Sequence, residues 1–133
     1  MRNPLRTHFW KTVLDLVLLA VAGHSIAVGI SLLFIPLWVL NLVRWEYAGQ
    51  KFWPSQAGLF MLILGAAYAW AIRLRPLVWL VIGSKASACV FLLASVVWLD
   101  APRVVALLAC GDGLMGLAVA LVLWELRRAE VRR

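Results

Sequence analysis

Charged residues are scarce in this chain. Of its 133 residues, 14% are charged and only six are Asp or Glu, whereas 65% are hydrophobic. A soluble domain is close to half apolar and about a quarter charged. This shortage excludes an ordinary soluble globular domain and places the chain among membrane proteins.

Cysteine and histidine are also scarce, with two of each. Cys89 and Cys110 fall inside apolar runs, where cysteine usually acts as a small hydrophobic residue, so we do not expect a structural disulfide. No spacing of cysteine and histidine suits a metal ion, and we predict no metal site. The sequence identifies no cofactor.

Four long apolar runs are present, over residues 12–36, 56–72, 77–99 and 104–124. Each is long enough to cross a hydrocarbon core of ~30 Å as a helix. The runs are continuous rather than alternating, which excludes barrel strands. We therefore predict an all-α integral membrane four-helix bundle, a single domain over 1–133, whose first run is a retained helix rather than a cleaved signal.

The basic residues predict how this bundle is threaded. The net charge is +7, and nine of the thirteen Lys and Arg residues lie at the two ends of the chain or at Arg73 and Arg75. Only Arg44, Lys51 and Arg103 lie in the other two connections. This asymmetry predicts that both termini face the cytoplasm, in what we expect to be a bacterial inner membrane. Anionic lipid, not nucleic acid, is the expected partner of the basic tail.

The tryptophans fit the same threading, because tryptophan favours the two membrane interfaces. One set of four is expected near the cytoplasmic face and the other near the opposite face: Trp10, Trp70, Trp79 and Trp124, then Trp38, Trp45, Trp53 and Trp98.

The three connections differ in length. The second and third, residues 73–76 and 100–103, are short, so the helices they join are expected to be antiparallel neighbours. Asp100 is expected to cap the fourth helix or to interact with its dipole. The first connection, residues 37–54, is predicted to hold a short amphipathic surface helix from Leu37 to Tyr47.

Lys85 and Asp112 are charges within the apolar runs. Lys85 lies nine residues beyond Pro76, about 13 Å deep, and Asp112 lies ten residues beyond Pro102, about 15 Å from the other face. An isolated charge at this depth costs at least ~2.5 kcal/mol, so we predict that the two form an ion pair. The pair serves either as a structural clasp or as part of a ligand site.

Other polar residues complete the predicted site. Small residues beside the two charges allow the third and fourth helices to approach closely: Gly83, Ser84, Ser87, Ala88, Gly111, Gly113 and Gly116. His24 and Tyr68 are expected to face the same interior, although each also suits ordinary core packing. Asp15, on the opposite face of the first helix from His24, is expected to pair with Lys11 or a nearby arginine. The candidate ligand-binding residues are thus Lys85, Asp112, His24, Tyr68, Ser84 and Ser87.

A set of short motifs resembles a known group. These are Pro36, "SQAG" at 55–58, "LGAAY" at 64–68, "RP" at 75–76, "IGSKASA" at 82–88, and Asp112. Together they resemble small bacterial four-helix membrane proteins distantly similar to the DoxX-like group. The resemblance implies a four-helix bundle and no established activity.

Several functions remain open at this point. The favoured one is a non-enzymatic subunit or accessory factor of a larger membrane complex, with a protein partner or a second copy. The second is a binder or carrier of an apolar small molecule such as a quinone, isoprenoid or other lipid. A proton-coupled transporter using Asp112 or His24 is a third, and an intramembrane enzyme using Lys85 as a Schiff base or general base is the least favoured.

Overall fold

The computed structural model describes residues 4–44 and 51–131, which form helices and their connections without strands. The five α-helices are α1 (Pro4–Phe34), α2 (Pro36–Leu42), α3 (Phe52–Trp70), α4 (Val78–Trp98) and α5 (Val104–Val131), with a 3-10 turn at Arg75–Leu77 before α4. Four of them, α1, α3, α4 and α5, are long and apolar enough to cross a membrane. The predicted all-helical membrane bundle is confirmed at this level.

Two of the helices extend well beyond the predicted apolar runs. α1 begins at Pro4 and α5 continues to Val131. The added turns carry charged side chains, which a hydrophobicity criterion excludes but a helix in the polar headgroup region tolerates. Arg6 of α1 and Glu125 of α5 are joined by an ion pair of 3.4 Å, so the extensions also contact each other.

The helical conformation is interrupted between α1 and α2 at Ile35, whose φ of −130° and ψ of 49° are not helical. Pro36 begins α2, because its missing N–H and fixed φ suit a first helical position. The surface helix that we predicted to Tyr47 is confirmed only in part, since α2 ends at Leu42 and Arg44 follows with a φ of 54°. Trp45 and Tyr47 lie outside the described residues.

α1 is the central element of the bundle. It packs along α3 on one side and against α5 on the other, and α5 packs along α4. The α1–α3 contact is close at two glycines: a Cβ added to Gly58 would lie 2.7 Å from both the Gly29 carbonyl oxygen and the Leu33 amide nitrogen. By contrast, α3 and α4 share little contact although a short turn joins them.

Burial divides the bundle into a narrow core and an apolar exterior. The core is built by inward residues of α1, α3, α4 and α5, chiefly Leu14, Leu18, Val21, Ala22, Tyr68, Val78, Val81, Val119 and Leu126. Large hydrophobic side chains cover the outside, as expected where lipid replaces water. The tryptophans at the helix ends, such as Trp79 and Trp98, are among these exposed residues.

Asp100 does not cap α5, the fourth spanning helix, so the first of the two roles predicted for it is wrong. α5 begins at Val104, four residues later, and Asp100 is exposed. Asp100 instead has a φ of 52° directly after α4, a left-handed conformation that aspartate adopts more readily than most residues. It therefore ends α4 rather than starting α5.

Candidate functional site

The Lys85–Asp112 ion pair is the most deeply placed charged contact in the described residues. Lys85 Nζ lies 2.5 Å from Asp112 Oδ1, and the two side chains are 3% and 15% exposed. The predicted pair is thus present, between α4 and α5. Two opposite charges so close in an apolar surrounding stabilise each other against the cost of burial.

Close packing of α4 on α5 positions this pair. Lys85 shares an inward face with Val78 and Val81 at helical spacing. Opposite it stands Gly116, where an added Cβ would lie 3.1 Å from the Lys85 Cβ. Because glycine leaves this space, the lysine stem lies against α5, and its ammonium reaches Asp112 one turn further along.

Tyr68 and Ser84 lie beside the pair. The Tyr68 Oη and Ser84 Oγ are 2.6 Å apart, and the Lys85 ammonium lies 6.0 Å from the centre of the Tyr68 ring. Ser84 Oγ is also 2.6 Å from the Leu80 carbonyl oxygen, which can only accept. The serine therefore donates to its own helix and Tyr68 donates to the serine, a bond that links α3 to α4.

Two of the predicted site residues lie elsewhere. His24 and Ser87 are both exposed on the outside of the bundle. The expectation that His24 faces the interior is wrong, because α1 buries Val21, Ala22 and Ser25 and turns His24 away from the other helices. Ser87 lies two residues beyond Lys85, which places it about 160° away around the helix, on the outward face.

Ser25 is an interior polar residue that the sequence analysis missed. Its side chain is fully buried, and its hydroxyl has no hydrogen-bond partner in the described part of the chain. Its only sequence signal is its spacing, four and seven residues after Val21 and Leu18, which are themselves buried. A buried hydroxyl left unpaired is unusual and calls for a partner such as a water or a ligand.

Ser25 and Lys85 lie at comparable depth. The contact between Asp15 Oδ1 and Arg75 Nη2, 2.8 Å apart, places Asp15 of α1 and Arg75, just before α4, at a similar depth in the bundle. Ser25 and Lys85 each follow by ten residues, which is about 15 Å along a helix. A polar level thus crosses three or more helices inside an otherwise apolar bundle.

The Asp15–Arg75 contact confirms the expected pairing of Asp15 with a nearby arginine. Its side chains are 35% and 39% exposed, so the pair is only partly buried. The pair lacks hydrogen-bond alignment: Asp15 Oδ1 and Arg75 Nη1 are buried atoms without a hydrogen-bond partner among the described residues. This contact is therefore weaker than the Lys85–Asp112 pair.

The larger cavities of the described residues lie at the helix ends. One of about 540 Å³ lies among Lys11, Trp79 and Arg127, one of about 500 Å³ lies beside Trp70 and Arg73, and one of about 450 Å³ lies near Leu42 and Arg103. None of the three is lined by the Lys85–Asp112 pair. Beside that pair lies the α3–α4 seam, which we define as the line between Tyr68 and Ser84 where these helices share little contact.

Comparison with protein-family models, with curated proteins and with solved structures finds no match for this chain.

Chemically, the site offers one ammonium, one carboxylate and the hydroxyls of Tyr68 and Ser84, and the Ser25 hydroxyl lies at a comparable depth on α1. Both cysteines are free, Cys89 being half-buried and Cys110 exposed. No group of three potential metal ligands occurs in residues 4–44 and 51–131. The ammonium, carboxylate and hydroxyl groups of the site can hold the polar end of a molecule by hydrogen bonds and charge.

Proposed function

We propose that this chain is a non-enzymatic integral membrane protein that binds an apolar small molecule whose polar end reaches the Lys85–Asp112 pair. The observation that carries the proposal is the polar level inside the bundle, where a buried ion pair lies beside a tyrosine–serine bond. Ionisable residues inside a membrane are rare and are usually retained for function.

The α3–α4 seam supports this proposal. The seam is held at the Tyr68–Ser84 hydrogen bond, while α3 otherwise packs on α1 and α4 on α5. A molecule dissolved in the bilayer approaches from the side, so a weakly packed line between two spanning helices suits its entry. Asp112 keeps 15% of its side chain exposed, so the pair is not sealed.

The donors define the ligand's polar end. The Lys85 ammonium and the unpaired Ser25 hydroxyl both donate hydrogen bonds. Carbonyl or hydroxyl oxygens on an apolar body, as in a quinone, an isoprenoid alcohol or another lipid, match these donors. Asp112 then holds Lys85 in place between binding events.

The antiparallel, N-in and C-in arrangement is part of the proposal. The contacts Arg6–Glu125 and Asp15–Arg75 support it, because they join the start of α1 to the end of α5 and to the turn before α4. The basic residues at these positions favour the cytoplasmic side of a bacterial inner membrane. The likeness to the DoxX-like group stays a prediction.

Native mass spectrometry of the protein extracted with its own lipids tests the binding function. We compare wild type with Lys85→Met/Asp112→Leu, which removes the pair without leaving a lone buried charge, and with Ser87→Ala on the exposed face as the control. We expect an added mass of a few hundred daltons in wild type and control that is lost in the double variant. If every adduct of the wild type also survives in the double variant, the proposal is contradicted.

The same spectra address the other candidates. A stoichiometric protein partner without any small-molecule adduct replaces the proposal with the accessory-subunit function. For a proton-coupled transporter, liposome flux must depend on Asp112, so flux unchanged in Asp112→Asn ends that alternative.

A further inference from the structure

A second polar site lies at one end of the bundle, where its charged side chains are exposed or only half-buried. A cavity of about 540 Å³ opens between the early part of α1, the turn before α4 and the late part of α5. Three cations line it, Lys11, Arg75 and Arg127, against one carboxylate, Glu130. This end cavity shares no residue with the Lys85–Asp112 site, so an inference about it does not depend on the function proposed for that site.

The cations of the end cavity are available to an anion. Within the described residues, neither Lys11 nor Arg127 forms an ion pair, and both are exposed. Arg75 is already paired with Asp15, but it also lines the cavity, so its guanidinium adds a third cation beside Lys11 and Arg127.

Apolar walls continue from this charged opening. Trp79 lines the cavity, is 55% exposed, and carries the Arg127 guanidinium 5.1 Å from its ring centre. Leu123 and Leu126 line the same cavity from α5, further from the chain end than Arg127. A cationic rim above an apolar wall, at the end of spanning helices, matches a phosphate headgroup with its acyl chains.

We propose that the end cavity is a specific site for an anionic phospholipid, whose phosphate is held by Lys11, Arg75 and Arg127 and whose acyl chain lies along Trp79 and Leu123. Free phosphate shares the headgroup chemistry but lacks the acyl chain that the apolar wall would hold. Glu130 also lines the cavity, and its carboxylate disfavours an anion close to it. The phosphate is therefore placed beside the three cations.

The test measures lipid binding to the whole protein in detergent by native mass spectrometry. Phosphatidylglycerol is titrated against wild type, Lys11→Gln/Arg127→Gln, and the control Arg128→Gln. Arg128 is the neighbouring cation, but it does not line this cavity and lies over Trp124 instead. Each removed cation of the cavity is expected to weaken phosphatidylglycerol binding about fivefold, with phosphatidylcholine binding unchanged.

The outcomes separate the sources of affinity. Selective loss in Lys11→Gln/Arg127→Gln supports the site, and the exposed single variant Lys11→Gln gives the same direction if the double variant unfolds. Equal loss in Arg128→Gln overturns it, because bulk charge then accounts for binding. Displacement of phosphatidylglycerol by millimolar inorganic phosphate also overturns it, since the acyl wall then contributes nothing.

Discussion

Lys85 and Asp112 are 27 positions apart in sequence, on two different helices, yet their Nζ and Oδ1 atoms lie 2.5 Å apart in the bundle interior. Each charge is kept inside the membrane by the other. Removing one alone therefore differs from removing both, and this difference gives the first prediction.

Lys85→Met should destabilise the protein by about 3–5 kcal/mol, because it leaves the Asp112 carboxylate buried without its partner. Lys85→Met/Asp112→Leu should be more stable than Lys85→Met. Asp15→Asn, in the half-exposed Asp15–Arg75 pair, is the control and should change stability by less than about 1 kcal/mol. Reversible unfolding in mixed micelles measures all three, and a double variant no more stable than Lys85→Met would contradict the prediction.

The Tyr68–Ser84 bond predicts an asymmetry between two single substitutions. Ser84→Ala leaves the buried Tyr68 hydroxyl without its acceptor and should cost about 1–3 kcal/mol. Tyr68→Phe should cost about 1 kcal/mol or less from the lost bond, because Ser84 still donates to the Leu80 carbonyl. The same unfolding measurement compares them, and Tyr68→Phe proving the more harmful would reverse the assigned donor direction.

Two glycines in spanning helices should respond oppositely to alanine. Gly58→Ala places a Cβ 2.7 Å from backbone atoms of α1, and forcing the helices apart should cost about 1–3 kcal/mol. Gly83→Ala meets nothing within 4 Å and should be neutral or stabilising by up to about 1 kcal/mol, since alanine favours helix. Thermal unfolding in detergent checks the pair, and equal effects would refute the close α1–α3 contact.

The proposed topology predicts which cysteines a membrane-impermeant reagent labels in intact cells. In a Cys89→Ala/Cys110→Ala background, Arg103→Cys should be labelled from outside and Arg73→Cys only after the cells are opened. Both positions are exposed, so burial does not limit the reaction. Labelling of Arg73→Cys in intact cells would invert the threading.

The sequence predicted Lys85–Asp112 because depth can be counted along a helix and a lone charge in lipid is costly. It misjudged His24 and overlooked its neighbour Ser25, because α1 is apolar on nearly all sides. In such a helix the inward face is set by which helices pack against it, and hydrophobic periodicity does not reveal it. Tyr68 and Ser84 were identified as polar candidates, but not as a bonded pair.

The helix ends and the packing of neighbouring helices were likewise predicted only in part from the sequence. The four spans could be read from apolar length, whereas the charged extensions of α1 and α5 could not, since helix there continues beyond the apolar run. The short turn at residues 73–76 predicted that α3 and α4 pack together. Their small contact instead follows from the closer fit of α3 on α1 at Gly29, Gly58 and Gly65.

The most direct test of the account is the native mass spectrum of the charge-swapped variant Lys85→Asp/Asp112→Lys. The swap keeps an ion pair between α4 and α5, so the helices should stay clasped, but it moves the ammonium away from its place beside Tyr68. We predict a folded protein, more stable than Lys85→Asp alone, that has lost the small-molecule adduct of wild type. A folded swap that retains the adduct would contradict the account, because the ligand would then be indifferent to the position of Lys85.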